Sequence, residues 1–522
     1  MRALWLSPLC LTLLFAACGE EDTPDATVDS GVAADAGRDS GTGDGGTTTD
    51  SGADSGTPDL GTDGGVGMDA EPTDTGTVAD PFPNTSCAGA SECLQFVVGQ
   101  EDDLLDAVND LQTGTRIVLG AGTFRFTNAV TIRDDAITFE GQGIDVTILD
   151  FAGQVAQSNG VDVVGDNFII QGMTITDSKK DALRIENSTN VVIRRVKATW
   201  SAGPATTNGS YGLYPVRCTN VLMEDSEAYN ASDAGLYVGQ SINVVVRRNI
   251  ARRNVAGLEI ENTQFADVYE NHVEDNSGGL LIFDLPGNPV IGRDVKIHNN
   301  QIISNNRPNF APSGTTVSQI PRGTGTFTLA SRRVEITGNT YENNLTTDVA
   351  VLSGLAIQSS TAAWAIPLAM VVGSTVGLEL PSGGGVILNF VTNEIWVHGN
   401  THSGYGTLPD SSNQAARPLG ALLGLVYFGS GGLGPVDALL YDGIGELVDP
   451  DNIVNNTNFN HVCFENESGA SYATLDLPNL AAILDGGQRL PSTDDLYQPG
   501  VPWVPFDCTG FTGGPIPPVV LP

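Results

Sequence analysis

DALRIEN (181–187), YGLYPVR (211–217), AGLYVGQ (234–240), AGLEIEN (256–262) and GGLLIFD (278–284) stack on one another at intervals of 30, 23, 22 and 22 residues. In each, a small or turn-forming residue precedes a Leu, and apolar residues then recur at every second position. A repeat of just over 20 residues built from short strands is the pattern of a solenoid. Parallel stacking sets equivalent residues of successive coils ~4.8 Å apart. The outward positions of the repeat therefore read as columns on a surface.

A second strand keeps step with the first. Phe168-Ile169-Ile170, Val191-Val192-Ile193, Val221-Leu222-Met223, Val244-Val245-Val246 and Asp267-Val268-Tyr269 are offset by 23, 30, 23 and 23 residues. Asn249 and Asn271 fall in register behind them, and Asn300, Asn339 and Asn400 close similar strings, IHNN, ITGN and VHGN. Asn at such turns is expected to take left-handed backbone angles and to hydrogen-bond the rungs above and below. Before the stack, Leu104, Leu105, Val108 and Leu111 share one helical face and Gly114 stops it. That predicts a short helix capping the exposed sheet edge at the solenoid's start. Two or three strands per coil, Gly and Asn at the corners and no helix between them predict an all-β, right-handed parallel β-helix.

YGLYPVRCTNVLMEDS, SDAGLYVGQS, AGLEIENT, ADVYENHVEDNSGGLLIFDLPG and NFAP, between Tyr211 and about Phe327, resemble the exported parallel β-helix repeat proteins of bacteria. The likeness extends more loosely over 95–345 and again towards Cys463. It implies a lipoprotein or secreted protein, and a neighbouring exported partner similar to a c-type cytochrome. It implies no particular chemistry.

Arg2, the apolar run Leu4–Leu14 and Phe15-Ala16-Ala17-Cys18 read as a signal segment over 1–18, its end similar to a lipobox with Cys18 as the lipidated residue. The apolar run is short for a bilayer span. Residues 19–80, rich in Asp, Gly, Thr and Ser, read as a disordered acidic tether. Ca2+ is conceivable at alternating Asp and Gly, but no segment has the spacing of a complete binding loop. The β-helix is expected over 81–345, an insertion or irregular lateral lobe over 346–445, and terminal turns with a Pro-rich tail over 446–522. The apolar run Val349–Val372 is broken by Gln358, Ser residues and Pro367, and is not read as a membrane span. The expected location is the outer membrane or cell surface, the membrane being touched through the lipid anchor only.

Residues 81–522 hold 46 acidic and 22 basic residues, a net charge of −24. Such a body repels nucleic acid and anionic lipid, and admits an acidic polymer only over a basic patch or a bridging cation. Cys87 with Cys93 and Cys463 with Cys508 are expected to pair in an oxidising compartment. That leaves Cys218 as a small buried residue in line with Ser188, Ser241 and Thr263. Of the five histidines only His398 and His402 are close in sequence, on a strand and turn rather than a helix, so no metal site is assigned.

If Leu183, Leu213, Leu236, Leu258 and Leu280 point into the coil, the next column outward reads Arg184, Tyr214, Tyr237, Glu259, Leu281. Two residues on it reads Glu186, Val216, Gly239, Glu261, Phe283, and at the turn Asn187, Arg217, Gln240, Asn262, Asp284. Loops add Asp181, Tyr211 and Asp233. Aromatic faces beside carboxylates and amides suit the apolar faces and hydroxyl edges of sugars. Ligand contacts are therefore expected from Arg184, Tyr211, Tyr214, Tyr237, Gln240, Glu259, Glu261, Asn262 and Asp284.

Catalytic candidates are Tyr214, Tyr237, Glu259, Glu261, Arg217 and Asp233. Glu259 and Glu261, two apart on one strand, have Cβ atoms roughly 6.5–7 Å apart. That spacing is compatible with an inverting glycosidase, yet side chains pointing in parallel do not by themselves flank a bond. A lyase or epimerase would instead use a Tyr as proton carrier and Arg217 or Arg184 to neutralise a carboxylate. The Asp-Pro-His string of β-helix epimerases and the paired-Asp and Gly-His-Gly strings of polygalacturonases are absent. The expectation is a glycan-binding envelope protein, with cleavage or epimerisation open. The alternative is a non-catalytic scaffold or adhesion module for an exported protein, which the outward apolar pair Leu281 and Phe283 favours.

Overall fold

The computed structural model describes residues 81–83, 87–358, 360–376, 378, 385–410, 436–442, 461–474, 498–499 and 514–522. The signal segment, Cys18 and the stretch 19–80 lie outside these residues, as does Cys508. Within them the chain winds as a parallel β-helix. One sheet of 20 described strands and one of 12 run along it, called here the broad and the narrow sheet. The narrow sheet holds the opening repeat: Leu183 pairs with Leu213, Leu213 with Leu236, Leu236 with Leu258 and Leu258 with Leu280, all parallel. All five are 0–1% exposed and form one apolar column inside the coil. Burying each is worth roughly 1.5–3 kcal/mol.

One coil shows how the sequence turns. The strand Ala234–Gly239 ends at Gln240 (φ 51), Ile242–Arg247 ends at Arg248 (φ 56), and Ile250–Arg252 ends at Arg253 (φ 61). Each left-handed residue bends the chain and starts the next strand. The laddered asparagines do not take these angles themselves, contrary to expectation. Arg248, Glu270, Asn299, Gly338 and Gly399 do, and each Asn follows one. The bend turns the following amide inward. There Asn249, Asn271, Asn300, Asn339 and Asn400 bridge the rungs with Nδ2 donating to Oδ1 at 2.9–3.0 Å. A second buried ladder, Asn254, Asn276, Asn305 and Asn344, runs at the next corner. It was not read from the sequence.

The helix Glu101–Ala107 caps the start, with Leu104, Val108 and Leu111 buried and Leu105 packed against the core. It ends sooner than its apolar face, which continues as a turn. Cys87 and Cys93 are joined, their Cα atoms 5.8 Å apart, and Cys463 is disulfide-bonded. Cys218 is free and buried. Its thiol lies 3.3 Å from the Val216 carbonyl, in the slot where Ser241 and Thr263 donate to Gly239 and Glu261. Burial pushes that thiol up to about 12, which leaves it structural rather than nucleophilic.

The coil continues through much of the span expected as an insertion. Thr347–Leu352 and Leu439–Tyr441 extend the narrow sheet, and Asn393–His398 and Thr401–Ser403 extend the broad one. Among the described residues a lateral excursion lies between Leu352 and Asn393. It holds 3-10 turns, including Thr361–Trp364, and an antiparallel pair, Ala365–Pro367 with Val386–Leu388. No described helix is long and apolar enough to cross a membrane.

Candidate functional site

The outer face of the narrow sheet has the columns expected of it. Tyr214 pairs with Arg184, Tyr237 with Glu259 and Glu259 with Leu281; Gly239 pairs with Glu261 and Glu261 with Phe283. What differs is exposure. Tyr237 and Glu259 are 2% exposed and Glu261 7%, while Leu281 and Phe283 are buried too. Two connections cover them. The segment between Ile303 and Thr324 brings Phe310, Val317 and Ile320, and the excursion brings Leu355, Trp364 and Phe390, into a second apolar cluster outside the coil. Periodicity shows which side chains leave the coil, but not what folds back over them.

Under the edge of this roof the tyrosines converge. Tyr211 and Tyr214 stack with ring centroids 4.4 Å apart, and Tyr237 meets them edge-on at 5.0 and 4.6 Å. Tyr211, Tyr214 and Asp233 keep part of their surface in solvent. Tyr237 leans over Gly239, where a Cβ would lie 2.0 Å from its hydroxyl. That cleared path lets the hydroxyl donate to Glu261 Oε2 at 2.8 Å. Asn288 donates to Glu261 Oε1 at 3.0 Å. The Asp233 carboxylate accepts from Tyr211. Asp181 accepts the Tyr211 backbone N–H at 3.3 Å. Glu259 accepts no hydrogen bond from any described residue, although it is almost wholly buried.

Burial raises every one of these carboxyls. Asp181 goes to about 6, while Asp233 and Glu261 go to about 7. Glu259 goes well above its ordinary range, pushed by burial and then by the neighbouring Asp233 and Glu261. Burial likewise raises the phenols of Tyr211 and Tyr237. At neutral pH Asp233 and Glu261 therefore lie close to their midpoints, beside a Glu259 that is shifted the same way, a setting in which acid and base groups can coexist.

The other expected contacts are engaged elsewhere. Arg184 pairs with Asp162 at 2.8 Å and with Glu186 at 3.2 Å, and Arg217 also pairs with Glu186. Both are thus held by acids of the same or neighbouring coils. Gln240 is a half-buried corner residue. Asn262 accepts from Leu285 N and Asn288, and donates to Val290. Asp284 accepts from Gly292 N and Asn389, both at 2.8 Å, and burial lifts it to about 7. Asn262 and Asp284 therefore pin the covering loops. Asn389 comes from the covering excursion and Asn288 from the separate loop between Phe283 and Arg293; the repeat revealed neither, because they follow no period. His398 contacts Glu335, whereas His402 lies between Asp348 and Glu467, so the two do not share a ligand position. Among the described residues no group of three His, Cys, Asp or Glu side chains is arranged to hold a metal ion.

Residues 135–292 and 208–363 match the family model described as the right handed beta helix region. This stretch is a right-handed parallel β-helix. Solved structures similar to the β-helix include the A-module of the mannuronan C-5 epimerase AlgE4 of Azotobacter vinelandii. It is 15% identical, with 65% of this chain and 86% of that one covered and a TM-score of 0.38. An exopolygalacturonase of Thermotoga maritima is 12% identical over 61% and 80% of the two chains, with a TM-score of 0.34. An alginate lyase of Paenibacillus sp. str. FPU-7 is 12% identical over 51% and 95%, with a TM-score of 0.26. No curated protein matches the sequence.

Proposed function

We propose that the tyrosine-carboxyl recess of the β-helix binds a sugar unit of a glycan, and that Glu259 serves there as a protonated acid. The observation that carries this reading is Glu259 itself, 2% exposed and accepting no hydrogen bond from any described residue. A buried polar group left unpaired costs roughly 1–3 kcal/mol. Folding alone gives no reason to keep it. A ligand hydroxyl would satisfy it. Tyr211 and Tyr214 present ring faces to a sugar at the rim, and the carboxyls behind them accept from hydroxyls. The Cβ spacing of Glu259 and Glu261, roughly 6.5–7 Å along one strand, is compatible with inverting hydrolysis, but two side chains leaving the strand in parallel do not by themselves flank a bond. With its signal segment and acidic tether, the protein would work at the cell envelope.

Titration with a panel of oligosaccharides, followed by calorimetry and reducing-end release, tests this. Wild type should bind, Tyr214→Ala should bind more weakly, and Glu259→Gln should lose turnover. Absence of binding by the wild type, or equal binding by both variants, would sink the reading. The scaffold alternative loses its supporting observation, because Leu281 and Phe283 are covered by the chain's own loops and offer a partner no apolar surface.

A further inference from the structure

The broad sheet carries a second surface of opposite character. In a body of net charge −24, six arginines gather on one side of three consecutive coils. Arg194 and Arg195 lie on the strand Thr189–Thr199; Arg247 and Arg248 follow two rungs on, and Arg252 and Arg253 sit round the next corner. Glu224 lies beneath them, 7% exposed, and holds Arg247 at 2.7 Å and Arg248 at 2.8 Å, with Arg194 4.0 Å away. Arg248 is also bound to Asp225 and Arg252 to Glu274. These acids hold the guanidiniums in fixed positions but leave donors over. Nε of Arg194 and of Arg252 is buried and has no acceptor among the described residues, so it is not among the donors a ligand can reach. Arg195 and Arg253 are exposed and make no ion pair with a described residue. Arg253 lies over the Tyr229 ring at 5.4 Å and Arg247 over Tyr269 at 6.0 Å.

We propose that this arginine-tyrosine face binds the anionic groups of an acidic polysaccharide. Planar, pre-ordered guanidiniums match carboxylates in a bidentate fashion, and the half-buried tyrosines offer ring surface between them. Exposed Glu270 and half-buried Asp275 bound the patch on the next rung, so it spans about three coils, or roughly 10 Å along the axis. Its size and surroundings decide the kind of polyanion. Duplex nucleic acid carries a charge every ~1.7 Å, so its flanks would press against the −24 body on both sides. A glycan with one carboxylate per sugar has sparser charge, and places only a few on the patch and few against the acidic flanks. The face is separate from the tyrosine-carboxyl recess, so the two can be tested apart.

The experiment is binding of polygalacturonate to the whole chain in low salt. Dextran serves as the neutral control and a single-stranded oligodeoxynucleotide as the competing polyanion. Wild type should bind polygalacturonate, lose it on addition of salt, and ignore dextran. The double variant Arg195→Glu, Arg253→Glu removes two exposed cations without breaking an ion pair. It should weaken binding at least about tenfold. Lack of polygalacturonate binding by the wild type would overturn the proposal. So would unchanged affinity in a folded double variant, or an oligodeoxynucleotide bound as tightly as the glycan.

Discussion

Tyr237 reaches across Gly239 to donate its hydroxyl hydrogen to Glu261, one coil further along the β-helix, at 2.8 Å. The bond depends on the missing side chain at 239 as much as on the two groups it joins. Gly239→Ala is expected to force the phenol aside, break the bond to Glu261 and displace Tyr237 from the aromatic trio. Glycan binding should fall by at least about tenfold, the equivalent of 1.4 kcal/mol, which calorimetry would read. Tyr237→Phe separates the causes, since it loses the hydrogen bond and keeps the ring.

Glu259→Gln should stabilise the fold while damaging function. Glutamine removes a carboxyl that is buried beside Asp233 and Glu261 and accepts no hydrogen bond from a described residue. Relief on the order of 1 kcal/mol is expected, measured by urea denaturation at pH 8. A variant less stable than wild type at that pH would mean that the glutamate has a partner in solution.

The carboxyl cluster predicts a pH dependence of definite sign. Asp181, Asp233 and Glu261 rise to about 6, 7 and 7, from ordinary values of 3.8, 3.8 and 4.5. The folded state therefore holds protons that the unfolded state has released. Their contribution to stability is complete below about pH 4, falls as pH climbs through 6 to 7, and is gone above. Denaturation midpoints for wild type should decline between pH 5 and 8, and the Asp233→Asn, Glu261→Gln double variant should flatten the decline. A wild-type midpoint rising over that interval would contradict the assignment.

His402 carries the opposite kind of charge into the interior. It stacks on Tyr341 and hydrogen-bonds Asp348 at 2.9 Å and Glu467 at 2.6 Å. Burial works against its proton, but the two carboxylates outweigh this and raise its pKa. Its contribution is complete below the ordinary histidine value of 6.5 and fades as pH passes the raised one. His402→Ala strands two buried acids without a cation and should cost about 3–5 kcal/mol. Leu281→Ala tests the roof in the same assay. A covered leucine loses about 2–5 kcal/mol on truncation, whereas an open one would lose far less.

The repeat was legible because strand periodicity is local. A Leu every coil and apolar residues at every second position hold only if one face of each strand is buried, so the fold, the register and the outward columns could all be read from residues 181–284. Cys218 was legible for the same reason, since its neighbours in the column are Ser and Thr.

The asparagine ladders were half legible. The residues at 249, 271, 300, 339 and 400 stood out, but the left-handed turn belongs to the residue before each. Asn254, Asn276, Asn305 and Asn344 escaped notice although each lies five residues after a member of the first ladder and repeats its spacings of 22, 29 and 39 residues. The site was legible as a set of columns and not as an environment. Loops of no fixed period cover Tyr237 and Glu259, supply Asn288 and Asn389, and bury Leu281 and Phe283. Whether an outward group meets water or another part of the chain depends on contacts distant in sequence, and those contacts turn a row of ordinary acids into a cluster that holds protons at neutral pH.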